Sequence, residues 1–296
     1  MLSIDVGYGN VKICDGESFN AFPAVYYQCK GSYIPDDDPN DLLLELDGVK
    51  YHVGQTAMAN NGLSVMDRGD MLRHKLFVLT AICVVSKNDF EDEVLLGLPI
   101  QDYQSIANEL KALKGEYDVV FNGKKKHIKI TNVRVFMQGK AVYEVIKDEN
   151  ENLKEEQVGI IDVGQKTVDF AWFKFGSYVP DKSGSMVDLG CYSAYTDIVI
   201  VLNDKMGLDL KFYDAPHYAK RIPDESEEAY KRMAKDIVAN LTNKGWGDFA
   251  LLDRIYVIGG GANLVAKYLP RQDRIEVMDD PAFANAWGYF KGAEKK

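Results

Sequence analysis

What the sequence has little of narrows its function before any motif is considered. No apolar run reaches the ~18 residues of a membrane-spanning helix. The longest, 76–85, is broken by Thr80. Cys14, Cys29, Cys83 and Cys191 lie far apart with no Cys-x-x-Cys pairing, so reduced thiols in a cytoplasmic protein are expected. His52, His74, His127 and His217 are equally scattered, which argues against a zinc site. Basic residues are outnumbered, 35 Lys and Arg against 45 Asp and Glu, for a formal charge of −10. A groove for nucleic acid would need a basic stripe, so direct nucleic-acid binding is not expected. The charge at Asp5 argues against a signal peptide. Low-complexity segments and short-period repeats are missing too.

Against these shortages stand 296 residues, 46% of them apolar and 27% charged. That is enough chain to bury two cores of ordinary size. The order of elements reads as α/β. Residues 2–6, 10–14 and 18–22 are short β-rich runs joined by glycine-containing turns, with Pro23 as a stop. From 24 to about 70 the chain is more polar and reads as a small insertion. Within it, 34–39 is a loop, and Asp47-Gly48 joins 42–46 to 49–53 as a hairpin. A helix is expected over 71–86, a strand over 94–99 and an amphipathic helix over 103–114. A hairpin about Asn122-Gly123 then joins 118–121 to 124–130, and the Lys124-Lys125-Lys126 triplet reads as a solvated edge. A separate strand, 133–139, ends on Gln138-Gly139 and leads to a helix over 140–146. The polar stretch 148–156 is the clearest boundary.

The second half repeats the first: strand, glycine turn, strand over 167–173, and a third strand near 186–189. A helix over 194–205 should stop at Gly207. Asp224 is placed to cap the next helix, with Glu227 three residues on. A buried strand over 254–258 enters Gly259-Gly260-Gly261, followed by a helix over 262–269, a strand over 275–278, and a last helix started by Asp280-Pro281.

The chemistry concentrates in two near copies. Ile160-Ile161-Asp162-Val163-Gly164-Gln165-Lys166-Thr167-Val168-Asp169 echoes Ser3-Ile4-Asp5-Val6-Gly7-Tyr8-Gly9-Asn10-Val11-Lys12, about half the chain away. Successive N–H groups in a tight turn form a concavity that attracts anions. Glycine lets that backbone approach a phosphate without a Cβ in the way. A carboxylate at a strand end suits hydrated Mg²⁺, which keeps its waters and takes few protein ligands. Asp5 and Asp162 occupy such positions, and Lys12 could reach back to neutralise phosphate charge. Either turn alone is an ordinary strand connection.

Together with the glycine triplet, the two turns resemble the actin–hexokinase–heat-shock chaperone superfamily, and within it the bacterial actin-like ATPases of the ParM/StbA plasmid-segregation type. Ile4–Lys12 is similar to the first phosphate loop of that group, with its Asp and a Lys seven positions later. Ile161–Asp169 resembles the second, and Ile258–Ala262 the adenosine motif. Leu96-Gly97-Leu98-Pro99, the strand into Gln138-Gly139, and Ala284-Asn285-Ala286-Trp287-Gly288 resemble its connecting segments. The resemblance implies an actin-like ATPase fold of two duplicated lobes, each a mixed sheet flanked by helices, closing on ATP·Mg²⁺, with GTP an alternative. Lobe boundaries at 1–157 and 158–278 are expected, with a C-terminal helix over 279–296 packing back on the first lobe.

As catalytic residues it implies Gln138, Asp162 and Asp5, with Mg²⁺ held through water by the two aspartates. Gln138 would position water, because an amide takes no proton at neutral pH, and phosphoryl transfer rests on positioning and charge. The bland alternative for Gln138 is a strand-end residue capping a helix. Nucleotide contacts are expected from Gly7, Tyr8, Gly9, Asn10 and Lys12 in the first turn. Gly164, Gln165, Lys166, Thr167 and Asp169 serve the second, and Gly259, Gly260, Gly261 and Asn263 the nucleoside end. Asp169 is equally a strand-end turn residue, and Asn285 reads first as helix packing. Lys231, Arg232 and Lys235 belong to a solvated helix face near the adenine. Trp172, Trp246 and Trp287 read as core or interface, and Tyr26, Tyr27 and Tyr33 as a possible assembly surface.

Gln165-Lys166 departs from the family, where Gly-Thr or Gly-Gly is common. It leaves open either a looser backbone approach or an added charge. The resemblance further implies nucleotide-controlled filaments and an adaptor that links them to plasmid DNA. A small-molecule kinase of the same superfamily and a nucleotide-gated scaffold are the alternatives.

Overall fold

A computed structural model describes residues 1–29, 41–60, 62 and 69–295. The expected loop at 34–39 and Tyr33 lie outside the described residues. The chain divides into two compact units, Met1–Val142 with Asn285–Lys296, and Tyr143–Ala284.

The first unit opens with β1 (Leu2–Val6), β2 (Asn10–Cys14), β3 (Phe19–Pro23) and β4 (Tyr26–Gln28). The hairpin β5 (Leu42–Leu46) and β6 (Val49–Val53) follows, turning on Asp47 and Gly48, both at positive φ. A short helix α1 (Gln55–Ala59) precedes α2 (Met71–Val85), whose N-terminus is capped by the Asp70 carboxylate accepting from Arg73 N–H at 3.1 Å. Then come β7 (Phe90–Leu98), α3 (Tyr103–Lys111), β8 (Gly115–Phe121) and β9 (Lys124–Met137). These strands form one sheet in the order β3-β2-β1-β7-β9-β8-β5-β6-β4. β1, β7 and β9 run parallel, and the rest pair antiparallel. The strands of 24–70 therefore extend the sheet through β5 and β8.

The segments 124–130 and 133–139 are one 14-residue strand that pairs with β7 through a register shift at Asp92/Glu93. A bulge interrupts the alternation without ending the strand, and polar Thr131-Asn132 imitated a loop. Lys124 and Lys125 are exposed, as a solvated edge requires, on the strand that pairs with Val119–Phe121 as the hairpin predicts. Lys126 instead donates to the Cys83 carbonyl at 3.2 Å and to Ser86 O. It places a cation at the C-terminal end of α2, where the helix dipole favours one. α2 is buried nearly all round, from Leu76 to Cys83, which explains its unbroken apolar run.

α4 (Lys140–Glu149) leads into the second unit, which holds β10 (Gln157–Val163), β11 (Thr167–Lys174), β12 (Ser177–Tyr178) and β13 (Gly184–Val187). α5 (Cys191–Met206) ends on Gly207 at φ 64°, as the glycine signal indicates. After α6 (Ala215–Tyr218) comes α7 (Pro223–Leu241), with Pro223 in its first turn. Asp224 and Glu225 lie inside that first turn, and no side chain caps the helix. The expected capping role of Asp224 therefore fails, because the N-cap position falls two residues earlier, at Ile222. β14 (Arg254–Ile258), α8 (Ala262–Val265), β15 (Ile275–Val277) and α9 (Ala284–Glu294) complete the chain. The sheet order is β12-β11-β10-β14-β15, with β13 also on β11. β10, β14 and β15 are parallel. Trp172 and Trp246 meet edge to face at 5.4 Å in the core, both 1% exposed, whereas Trp287 is half-buried.

The five strands β3-β2-β1-β7-β9 and the five strands β13-β11-β10-β14-β15 share one pattern: two antiparallel pairings, then two parallel ones. The duplication seen in two short motifs extends to the sheets that carry them.

Candidate nucleotide-binding residues

In each unit the first hairpin is built in the same register. Asp5 stands opposite Lys12 and Val6 opposite Val11. Asp162 stands opposite Asp169 and Val163 opposite Val168. The turns close alike: Gly7 N–H donates to Asn10 O at 3.1 Å, and Gly164 N–H to Thr167 O at 2.9 Å. A Cβ on Gly7 would lie 2.8 Å from Asn10 O, so glycine is needed there, and one on Gly164 would press to 3.0 Å from Thr167 O.

In the first unit Asp5 is 2% exposed. Its Oδ2 accepts from Lys12 Nζ at 3.0 Å and its Oδ1 from Gln138 Nε2 at 2.9 Å. Lys12 thus pairs with the carboxylate inside the turn, where the sequence suggested a reach toward phosphate. A carboxylate only accepts, so the NH₂ of Gln138 must face it and the amide oxygen is left to accept from another donor. Gln138 follows β9 and is held by its own N–H on Leu98 O at 2.9 Å. Gly139 sits at φ 69°, and its N–H donates to Asn285 Oδ1 at 3.0 Å. Asn285 is therefore more than packing: a buried side chain from α9 fixes the turn that carries Gln138. Tyr8 and Gly9 are half-buried, and Asn10 is exposed.

Arg73 was not singled out by sequence reasoning. It is 1% exposed and donates from Nη2 to Gly7 O at 2.7 Å. Its guanidinium lies 5.7 Å from the ring centre of Tyr8 and 5.3 Å from that of Phe77. Only the cap at Asp70 marks this first turn of α2 in the sequence; nothing there tells a buried arginine from a solvated one.

In the second unit Asp162 is 6% exposed and Asp169 4%. Like charges directly opposite on a sheet repel. Asp169 is turned to two hydroxyls, accepting from Thr167 Oγ1 at 3.2 Å and from Ser185 Oγ on β13. Ser185 is a second residue the sequence did not mark. The turn also seats α5: the carbonyls of Gly164, Gln165 and Lys166 accept from the N–H groups of Cys191 at 3.1 Å, Tyr192 at 2.7 Å and Gly190 at 3.2 Å. Gln165-Lys166 is accordingly held tightly, and Lys166 Nζ lies 4.0 Å from Asp188, too far for a strong pair.

The glycine triplet is used unevenly. A Cβ on Gly259, at φ 87°, would lie 2.3 Å from Asp162 Oδ1, and one on Gly261 2.5 Å from Cys191 Sγ. Gly260 is exposed and faces open space, as a backbone that receives a ligand would. Asn263 is exposed on α8. Lys231, Arg232 and Lys235 are exposed on α7, as a solvated face requires. Tyr26 packs against Phe77 and Tyr51 in the core of the first unit and forms no surface, while Tyr27 is half-buried. Among the described residues no group of three or more acidic, histidine or cysteine side chains forms a metal site, and no helix is long and apolar enough to cross a membrane.

Residues 3–140 match the N-terminal domain of actin-like proteins, and residues 160–271 match the C-terminal domain of archaeal MreB-like actin homologues. This chain belongs to the actin-like proteins. No curated protein matches its sequence. Among solved structures it is similar to a non-polymerisable quadruple mutant of pCBH ParM, at 22% identity and TM-score 0.84, covering 100% of this chain and 99% of that one. It is similar also to the ParM of a 15-stranded filament from Clostridium botulinum, at 19% identity and TM-score 0.85, with 100% and 99% coverage. An archaeal actin homologue in complex with ADP matches at 19% identity and TM-score 0.81, again over 100% and 99%. At these identities the likeness establishes the actin-like fold of this chain over its whole length.

Proposed function

We propose that this actin-like protein binds ATP·Mg²⁺, with GTP an alternative, assembles into filaments in that state, and disassembles after hydrolysis. The duplicated hairpin carries the reading: one register, one glycine-closed turn and one buried aspartate, repeated in both units. The residues suit the group they would hold. Asp5 and Asp162 end strands as carboxylates, the ligands a hydrated magnesium takes, and the open space beside Gly260 is room that a Cβ would fill. Bound Mg²⁺ would supply charge neutralisation of the phosphates. Gln138, locked by Asp5, presents its amide oxygen to orient the attacking water, while Lys12 holds the other oxygen of Asp5. The tyrosine and glycine N–H groups of the first turn and the Gln165 and Lys166 N–H groups of the second are the phosphate donors.

The archaeal neighbour with ADP and the filament-forming neighbours support nucleotide use and self-association. A heterologous contact that does not close yields a filament without any dedicated sequence motif. With 45 acidic and 35 basic side chains, a link to plasmid DNA would run through a basic adaptor. Purified protein with ATP and Mg²⁺ should scatter light above a critical concentration, show filaments by electron microscopy, and lose scattering as phosphate is released. Flat scattering at every concentration, with phosphate release that rises only when a small hydroxylated or carboxylate substrate is added, would establish a kinase instead.

A further inference from the structure

Arg73 is a buried cation beside the first turn, 1% exposed. A peptide unit is planar and trans, so the carbonyl of Gly7 and the N–H of Tyr8 point in opposite directions. Arg73 holds that carbonyl at 2.7 Å from the protein interior, which turns the Tyr8 N–H away from the core. The guanidinium cannot easily drift, because it lies against the rings of Tyr8 and Phe77 and the backbone N–H of Arg73 is fixed by the Asp70 cap.

The second unit repeats the device with another donor. The matching peptide, Gly164–Gln165, has its carbonyl held at 3.1 Å by the N–H of Cys191, the first residue of α5, and the next carbonyl is held at 2.7 Å by Tyr192 N–H. In both hairpins the peptide after the turn glycine is gripped through its oxygen by a positively polarised group, so that its N–H faces the other way. Two unrelated donors meeting one geometric need mark that need as functional.

Resting on the ATP-binding reading, we propose that Arg73 is a positioning residue for phosphate binding: its grip on the Gly7 carbonyl aims the Tyr8 N–H at the nucleotide's phosphates. A charged donor buried at this point also raises the local positive potential, which favours an anion at the turn.

The test compares the full chain with R73K and R73M by calorimetric titration with ATP, with urea unfolding as a check on the fold. In the ¹⁵N-labelled parent, the Tyr8 amide resonance is followed on addition of ATP or adenosine. R73M should weaken ATP binding about tenfold or more, the scale of a charged hydrogen bond. R73K, which keeps a cationic donor, should stay within about threefold. The Tyr8 resonance should move with ATP and stay in place with adenosine. A folded R73M that binds ATP as the parent does would overturn the proposal. A parent Tyr8 amide that ATP leaves unmoved would also overturn it, even if R73M failed to fold. If the parent binds ATP, these failures remove only the role of Arg73; if the parent binds none, the ATP reading falls with it.

Discussion

Asp5 and Gln138 are held in one buried contact at 2.9 Å, and the chemistry of that contact can be reversed by a single atom. Gln138→Glu sets two carboxylates against each other, so one of them must take a proton in the folded state. The folded pKa of the pair then lies above the unfolded value of about 4.3. The folded form binds more protons, and stability rises as pH falls from 7 through that folded pKa. Urea unfolding at stepped pH should show this slope in the variant and not in the parent. Lys12→Met removes the other partner of Asp5 and should destabilise the protein by about 1–3 kcal/mol at pH 7, measured in the same way. The thiols offer a check on burial. Cys83 is buried and pushed up to about 12, and burial also pushes the Cys14 thiol up. Cys29 is half-buried, although burial raises its thiol too. An aromatic disulfide reagent at pH 8 should therefore modify Cys29 first and the other three only on unfolding.

At the level of elements, the seam between α9 and β7 is drawn tight by one missing side chain. A Cβ on Gly97 would lie 2.0 Å from the Tyr289 hydroxyl oxygen and 2.1 Å from the ring carbon that bears it. Gly97→Ala should cost about 1–3 kcal/mol in urea unfolding, the usual scale of overpacking. Tyr289→Phe should not relieve it, since the ring carbons remain, whereas Tyr289→Leu should. Such seams were legible in outline only. The hairpins at Asp47-Gly48 and Asn122-Gly123 announced themselves, because residues that tolerate positive φ have few other uses between β-rich runs. The Asp and glycine pattern of the two turns was equally readable, because its spacing is local. The partners were not. Arg73 meets Gly7 across 66 residues and Gln138 meets Asp5 across 133, and no period in a sequence encodes such distances. The unbroken run of β9 failed for a related reason: a bulge puts polar residues where alternation calls for an apolar one.

For the whole molecule, the formal charge of −10 works against any contact between identical copies. Raising monovalent salt from 20 to 200 mM shortens the screening length roughly threefold, so the critical concentration for the proposed ATP-driven assembly should fall. Pelleting across that range measures it; a steep rise would place the contact energy in pairs of opposite charge. The contact between Gly139 and Asn285 bears on how such a molecule is made. They are 146 positions apart, and Ser3 likewise waits for the Ala286 carbonyl, 283 positions on. Synthesis runs from the N-terminus, so the second unit, contiguous from 143 to 284, can finish first. The unit that opens the chain stays incomplete until the residues after 284 have left the ribosome. The turn at Gly139, next to Gln138, therefore lacks its Asn285 contact until those residues have emerged.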